Sequence, residues 1–450
     1  LLLINLFHLN PNDITNIVCT TFNKMMVLLV TLADKHQACP YCGFTAPKIK
    51  EYVTKEITHS ALTTQKCIIK YRARRYKCPC CGKTYYEFNP FVFKSQKISI
   101  LTVHNILKDL KDFNETFTSV ARRYHVSPTS VSTIFDNHVD IGRNPLPEII
   151  NFDEVYAFKS EKSKYVCVLL DFKKQIPVDV LPNRKKEYLL NYFQKIPLEE
   201  RKKVKYACSD MYEVYRDVVH KVFPEAKHLL DYFHLSQDFH KKMNEVRIKV
   251  MKGYKDDKAS DEYYLLKKFN WLLFKNPEDE DKYGRLFDVE RERKYNSHFK
   301  SYMNYYDLRK KLLEINNDLT ICYSLKLELV DFYSKSTIDN AKVNLENLIR
   351  SCIDTNIDEM IAFSNNLINW KQEIINSFTI VGTEYKVEAD KGQVVVCNKK
   401  VNNAIIENRN KIIKCIKNNA NGYTNWSRFR NRVMYVLDPN ATFSLEPREK

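Results

Sequence analysis

Two short cysteine turns constrain this chain more than any other feature: Cys39-Pro40-Tyr41-Cys42-Gly43 and Cys78-Pro79-Cys80-Cys81-Gly82-Lys83. Two residues between paired cysteines let both sulfurs face one ion, the glycine that follows relieves the tight turn, and tetrahedral zinc takes four thiolates. Residues 43–77 form a longer interval than the usual zinc ribbon and alternate in the manner of short strands. The expectation is one structural zinc on Cys39, Cys42, Cys78 and Cys81, with Cys80 an alternative to Cys78 or Cys81. Four thiolates close the coordination shell, which disfavours a catalytic zinc. The interval also carries Lys70, Arg72, Arg74, Arg75 and Lys77 interleaved with Tyr71 and Tyr76, a basic strand suited to phosphate. A solvated edge strand fits those residues equally well.

At 450 residues the chain exceeds one ordinary domain, and two to four folded units are expected. Lys and Arg total 72 against 55 Asp and Glu, a net charge of +17 that favours polyanionic partners, nucleic acid first. An AT-rich genome, which inflates Lys, Asn, Ile and Tyr, produces part of that excess without any function. Cysteines number 13, most of them single in apolar stretches, and no secreted disulfide framework is discernible, so a reducing cytoplasm is expected. The apolar run Met25 to Leu32 is too short to cross a bilayer and reads as a strand, so no membrane partner is expected. Eight glycines leave no phosphate-binding loop and no dinucleotide fingerprint, which argues against ATP- or NAD-driven chemistry.

Further along, an amphipathic helix around Val120 to Tyr124 meets a turn and a second helix opened by Ser127-Pro128, an N-cap followed by proline at the first helical position. A helix-turn-helix of this kind presents Thr129, Ser130 and Ser132 to base edges or phosphates; an ordinary helical hairpin is the competing reading. From Leu146 the pattern changes. Ile149 to Glu154, Tyr165 to Asp171 and Pro177 to Leu181 read as strands, followed by a helix over Lys185 to Gln194, a strand over Lys203 to Asp210, a helix over Met211 to Val222 and a strand over Ala226 to Asp231. Three strands, a helix, a strand, a helix and a strand is the ribonuclease H-like order, with Asp153 in the first strand and Asp210 ending the fourth. Glu154 competes with Asp153, and Asp231, beside His234, is the best rival to Asp210. His234 suits a hydrogen bond to phosphate or the satisfied interior of the fold.

Residues 240–395 read as a helical insertion, with apolar i, i+3, i+4 spacing in Tyr264 to Phe274 and Leu325 to Phe332, a loop at Asn276 to Tyr283, and a short hairpin at Val387 to Val396 turning at Lys391-Gly392. A last helix, Asn402 to Asn418, is expected to set Ile405, Ile412 and Ile416 on one face and Glu407, Asn410, Lys411 and Lys414 on the other. Glu407 among Asn and Lys suits a metal ligand with phosphate contacts beside it; a solvated charged face is the simpler alternative, and Glu328 a weaker rival. In Trp426 to Val433, Trp426, Phe429 and Val433 are expected to pack, leaving Arg428, Arg430 and Arg432 exposed.

The paired CPxCG knuckles, RYKCPCCG, NFDEVYAFK, ACSDMYEVY, LLDYFHLSQ and the late block NAIIENRNKIIKCIKNNANGYTNWSRFRNRV together resemble transposases of the ISL-three family of bacterial insertion sequences. The resemblance runs from about residue 25 to residue 436. It departs from the family pattern at IIENRN, where a glycine commonly follows the glutamate, and in an added segment, Thr383 to Lys400. The resemblance implies a DDE transposase whose three acids fall on Asp153, Asp210 and Glu407. Two magnesium or manganese ions held by these carboxylates would activate the attacking oxygen and stabilise the leaving one. It also implies double-stranded DNA partners (element ends and target), a homodimer or higher assembly, and a bacterial cytoplasmic, nucleoid-associated protein. DNA contacts are expected from Arg72, Arg74, Arg75, Thr129, Ser130, Ser132, Lys411, Lys414, Arg428 and Arg430.

The expected organisation is multidomain: a strand-rich zinc-binding unit at 1–95, a helix-turn-helix at 96–145, an α/β ribonuclease H-like core beginning at 146–240, a helical insertion at 241–400, and a final catalytic helix with a basic segment at 401–450. Two other functions compete. One is a non-enzymatic DNA-binding regulator with a decayed catalytic domain; the other is a nuclease that hydrolyses without strand transfer.

Overall fold

Strands Ile14–Phe22 (β1), Met25–Leu32 (β2), Lys48–Thr58 (β3), Cys67–Lys77 (β4) and Thr84–Tyr86 (β5) make the first sheet in a computed structural model that describes residues 2–35, 37–60, 64–93, 96–158, 163–387 and 394–448. Its order is β1-β2-β4-β3, with β5 also on β4. The β2 and β4 strands run parallel, and the other pairs are antiparallel. Leu28, Val30, Ile69, Tyr71 and Ala73 share a core with Phe91. The alternation along β4 that buries Tyr71 and Ala73 turns Arg72 outward.

Three helices follow, Ile100–Asp109 (α1), Phe117–Arg123 (α2) and Pro128–His138 (α3). Each start is fixed by a hydroxyl N-cap: Ser99 accepts from Thr102 N–H, Thr116 from Ser119 N–H and Ser127 from Ser130 N–H. The first of the two expected helices thus begins earlier than Val120, where Thr116 and Ser119 close a capping box. Ile106, Leu107, Val120, Val131 and Phe135 pack with Tyr435 from the C-terminal segment, so the chain's end is built into this unit.

The second sheet comprises Ile149–Val155 (β6), Val166–Asp171 (β7), Pro177–Leu181 (β8), Tyr206–Ser209 (β9) and Lys227–Leu230 (β10), ordered β10-β9-β6-β7-β8. β7 runs antiparallel to both β6 and β8, while β9 joins parallel to β6 and β10 parallel to β9. The fourth strand is shorter than its sequence pattern predicts, because Val204 folds into the core ahead of it and Asp210 lies just past its end. Ile150, Phe152 and Leu169 pack on one face under helices Lys186–Gln194 (α4) and Glu213–Val222 (α5). Val155, Val168, Leu170 and Val180 pack on the other face under two late helices.

Between the sheet and those late helices runs the insertion: Tyr232–Lys252 (α6), Asp261–Lys268 (α7), Tyr305–Glu314 (α8), Asn317–Lys335 (α9), Ala341–Asp354 (α10), Asp358–Asn369 (α11) and Lys371–Asn376 (α12). It has its own core around Phe239, Leu266, Leu312, Leu345 and Phe363. The helical spacing of Tyr264 to Phe274 is interrupted at Phe269, after which Asn270–Phe274 forms a 3-10 turn. The expected loop at Asn276 to Tyr283 already contains the first strand of a small hairpin, Glu280–Asp281 with Gly284–Arg285. The later hairpin is longer than its sequence pattern predicts, pairing Ile380–Val387 (β11) with Val394–Lys400 (β12); the expected turn at Lys391-Gly392 lies outside the described residues.

The late helices are Ala404–Asn419 (α13) and Trp426–Leu437 (α14). Two expectations are corrected here. The buried stripe of α13 is Ile406, Asn410, Ile413 and Ile416, with Ile405 and Ile412 only half-buried, so Asn410 lies on the inner face and not beside the exposed Lys411 and Lys414. Arg432 is buried, not exposed, because its guanidinium donates to the carbonyls of Asp112 and Glu115.

Candidate active site

The side-chain period of two along β6 separates the neighbouring acids. Ile150 and Phe152 face α4 and α5, so Asp153 points with Asn151 and Val155 toward α13, and Glu154 points the other way. Glu154 there forms an ion pair with Arg184. Asp153 is 8% exposed and accepts a 2.7 Å hydrogen bond from Asn410 Nδ2. Asp210 follows β9, the strand parallel to β6, and Asp231 follows β10 at the start of α6.

The opening of α13 is clamped onto β6. Asn151 Nδ2 donates to the Asn402 carbonyl at 2.8 Å and to Asn403 Oδ1 at 2.6 Å, and Asn403 Nδ2 returns a 3.2 Å bond to the Phe152 carbonyl. Asn403 also donates its backbone N–H to Asp231 Oδ1 at 3.3 Å. One turn later stands Glu407, whose N–H closes on the Asn403 carbonyl. Ligand atoms of Glu407, Asp231 and His234 lie within 4.8 Å of one another. His234 Nε2 sits 3.8 Å from Asp231 Oδ2, and neither atom has a hydrogen-bond partner. Asp231, weighed above as a rival to Asp210, is therefore its neighbour, whereas Glu328 is exposed on α9.

Burial, together with the adjacent Asp210, pushes the Asp153 carboxyl up to about 7. Burial and the charge of Glu154 raise Asp210 to about 6. Asp231 is raised by burial and by Glu407. Asp210 Oδ1, Asp231 Oδ2 and Glu154 Oε2 are buried oxygens without a hydrogen-bond partner. A cluster of hard carboxylate oxygens, crowded and under-satisfied, suits a divalent cation of the magnesium type.

A second cluster lies in the N-terminal unit. The four cysteine sulfurs Cys39, Cys42, Cys78 and Cys81 lie within 4.8 Å of one another, with Cys39–Cys81 at 3.7 Å and Cys42–Cys78 at 3.5 Å. A tetrahedral ion with bonds of about 2.3 Å sets its sulfurs about 3.8 Å apart. The two turns repeat each other: Gly43 N–H meets the Cys39 carbonyl and Gly82 N–H the Cys78 carbonyl, both at 2.9 Å. Both glycines have positive φ, +75° and +71°, which a side chain would strain. The Cys81 backbone amide holds the Cys78 thiol down at about 7. Cys80 is exposed and outside the cluster.

The expected DNA contacts divide. Arg72 is exposed over the Tyr52 ring, and Thr129, Lys411 and Lys414 are also exposed. Ser130 and Ser132 are half-buried, their hydroxyls meeting Ser127 Oγ and the Thr129 carbonyl. Four arginines are engaged within the chain instead: Arg74 with Glu87 and Arg75 with Glu51, each at 2.7 Å, Arg428 Nε with Asp136 at 2.9 Å, and Arg430 Nε with Asp179 at 2.7 Å. These pairs are structural ties between elements, a role that composition alone does not reveal.

The chain belongs to the DDE_Tnp_ISL3 transposase family, whose model matches residues 150–389, more than half of its length. That span contains Asp153, Asp210, Asp231 and the insertion, and it ends before Glu407. The chain is also similar to the transposase for insertion sequence element IS1001 of Bordetella parapertussis, 19% identical over 410 residues that cover 90% of each protein. Among the described residues no helix is long and apolar enough to cross a membrane.

Proposed function

We propose that the chain binds the ends of an insertion sequence and catalyses metal-dependent strand cleavage and strand transfer, with Asp153, Asp210 and Glu407 as the metal-holding acids of a ribonuclease H-like core. The observation that carries this reading is the gathering of acids at the ends of β6, β9 and β10 beside α13: Asp153 is buried against Asn410, Asp210 and Asp231 each keep an unpartnered oxygen, and ligand atoms of Asp231, His234 and Glu407 lie within 4.8 Å of one another, a group that includes neither Asp153 nor Asp210. The sheet order, three antiparallel strands with two parallel strands added beside the first, supports the fold assignment. Magnesium or manganese bound there would supply charge neutralisation at the scissile phosphate.

The chain's own residues prepare that site. Asn410 Nδ2 holds Asp153 Oδ2 and the Glu154 backbone N–H holds Oδ1, each at 2.7 Å, which fixes the carboxylate and leaves a lone pair on each oxygen for a ligand. The Asn151 and Asn403 clamp sets the helix that carries Glu407, and Asp231 joins the acids as a further ligand or as the partner that orients His234. His234, beside Asp153 and Asp231, is suited to donate to a phosphate oxygen as it approaches. Asp153 and Asp231 are buried and Asp210 and Glu407 half-buried, so water is excluded most from the first pair, which strengthens the interactions made there.

Delivery of DNA falls to the N-terminal units. A zinc ion on the four cysteines would lock the two knuckles together, leaving Arg72 outward, and α2 with α3 serves as the helix-turn-helix, Thr129 foremost. Incubating full-length protein, magnesium and a pre-cut element end with target plasmid tests the reading. Covalent joining of end to target is expected; nicking of the DNA without joining would reassign the chain as a nuclease.

A further inference from the structure

We propose that His220, His228 and Glu373 form a second transition-metal site, for zinc by its ligand chemistry, that clasps the helical insertion to the catalytic sheet. The three residues come from separate elements: His220 from the last turn of α5, His228 from the edge strand β10, and Glu373 from α12. Their ligand atoms lie within 4.8 Å of one another, in a group that shares no residue with the acids around Asp153.

Hydrogen-bond accounting at His228 supplies an independent argument. Ser209 Oγ donates its single proton to the Asp210 carbonyl at 2.8 Å. With the serine proton on that carbonyl, its 2.9 Å contact with His228 Nε2 has the ring nitrogen as donor, the tautomer in which Nδ1 is a bare lone pair. His228 is 1% exposed, and Nδ1 has no hydrogen-bond partner. What Nδ1 faces is Glu373 Oε1, 3.9 Å away, on a glutamate that is itself 5% exposed. A lone pair aimed at a buried carboxylate beyond hydrogen-bond range is unfavourable unless a cation lies between them.

His220 completes the set. It is exposed, and it brings a second imidazole together with an opening to solvent for an incoming ion and a water ligand. Two imidazoles, one carboxylate and an open position match zinc, whereas magnesium and calcium prefer all-oxygen shells. The Ser209 hydroxyl, receiving the Nε2 proton, would take the orienting place that a carboxylate, carbonyl or water usually holds beside a metal-bound histidine. Arg216 is the nearby opposing charge; its guanidinium stacks on Trp370 at 4.4 Å and donates to the Asn369 carbonyl. Asn376 Nδ2 already ties α12 to the His228 carbonyl at 2.9 Å, so an ion here would rivet a joint that this side-chain hydrogen bond pins. Through Ser209 it would also steady the carbonyl of Asp210.

The test uses the full chain equilibrated with low-micromolar zinc and excess magnesium, which fills the oxygen-ligand acids, followed by metal analysis of the desalted protein. Wild type is expected to hold about one more zinc per chain than either His220→Ala or Glu373→Gln. Cobalt substitution reads the same site separately: the shorter-wavelength d–d bands of a nitrogen- and oxygen-ligated ion are lost in both variants, while the longer-wavelength d–d bands and the thiolate charge-transfer band of the cysteine cluster persist. His220 is exposed, so its replacement spares the fold, and circular dichroism with the thiolate band confirms this. Equal zinc content in wild type and either variant overturns the proposal.

Discussion

At the scale of single residues, the raised carboxyls make the acid cluster a cost to the metal-free fold. Folded Asp153 and Asp210 ionise near 7 and 6 instead of 3.8, so between those limits the folded state keeps protons that the unfolded chain has released. Stability without divalent ions therefore falls as pH rises from about 4 and reaches its full loss above about 7. Melting temperatures of chelated protein from pH 5 to 8 should decline, and manganese should reverse the decline most at the alkaline end. A rising curve would contradict the assignment. Asp153→Asn removes that penalty and should stabilise the metal-free chain at pH 8 by on the order of 1–3 kcal/mol, measured by denaturant unfolding. The placement of Asp153 in a strand and of Asp210 just past one was legible in the sequence, because each sits in or just after an apolar run. Asn403 and Asn410 were not, since their meaning lies in contacts 252 and 257 positions away.

At the scale of elements, α13 and α14 carry the most consequence. Substituting Asn403→Ala cuts the clamp between α13 and β6, and strand-transfer rate should drop by about tenfold or more while end binding is unchanged. Unchanged joining would show that Glu407 needs no such positioning. Arg430→Gln separates the two readings of α14: breaking its pair with buried Asp179 should cost about 2 kcal/mol of stability and leave DNA affinity near wild type. A pure loss of DNA affinity would restore the exposed-arginine expectation. The five strands of the second sheet and their order along the chain were readable from period and β-branched content, whereas β1 was not read as a strand. The helix faces were misread because the late segment is rich in Asn and Arg, residues whose burial depends on distant carbonyls and carboxylates that no local pattern displays.

At the scale of the whole molecule, the proposed function divides the work between N-terminal units that would grip DNA and a second sheet that would react. Cys42→Ser should release about one zinc equivalent and lower the melting temperature of the N-terminal unit, with the second sheet's folding intact. Metal analysis that finds the same zinc in this variant and wild type would remove the zinc from the account. The two-sheet organisation was foreseeable from the change of pattern at Leu146, but the return of the C-terminal segment to α1 and α3 was not, because packing of Tyr435 against Phe135 leaves no trace in either stretch alone. The most direct measurement of the central claim is strand transfer of a pre-cut element end by Asp153→Asn, Asp210→Asn and Glu407→Gln, with Glu328→Gln as control and end binding measured in parallel. Each acid variant should lose at least about a hundredfold in joining while still binding ends, and the control should join normally; joining at wild-type rate by all three acid variants, in magnesium or manganese, would contradict it.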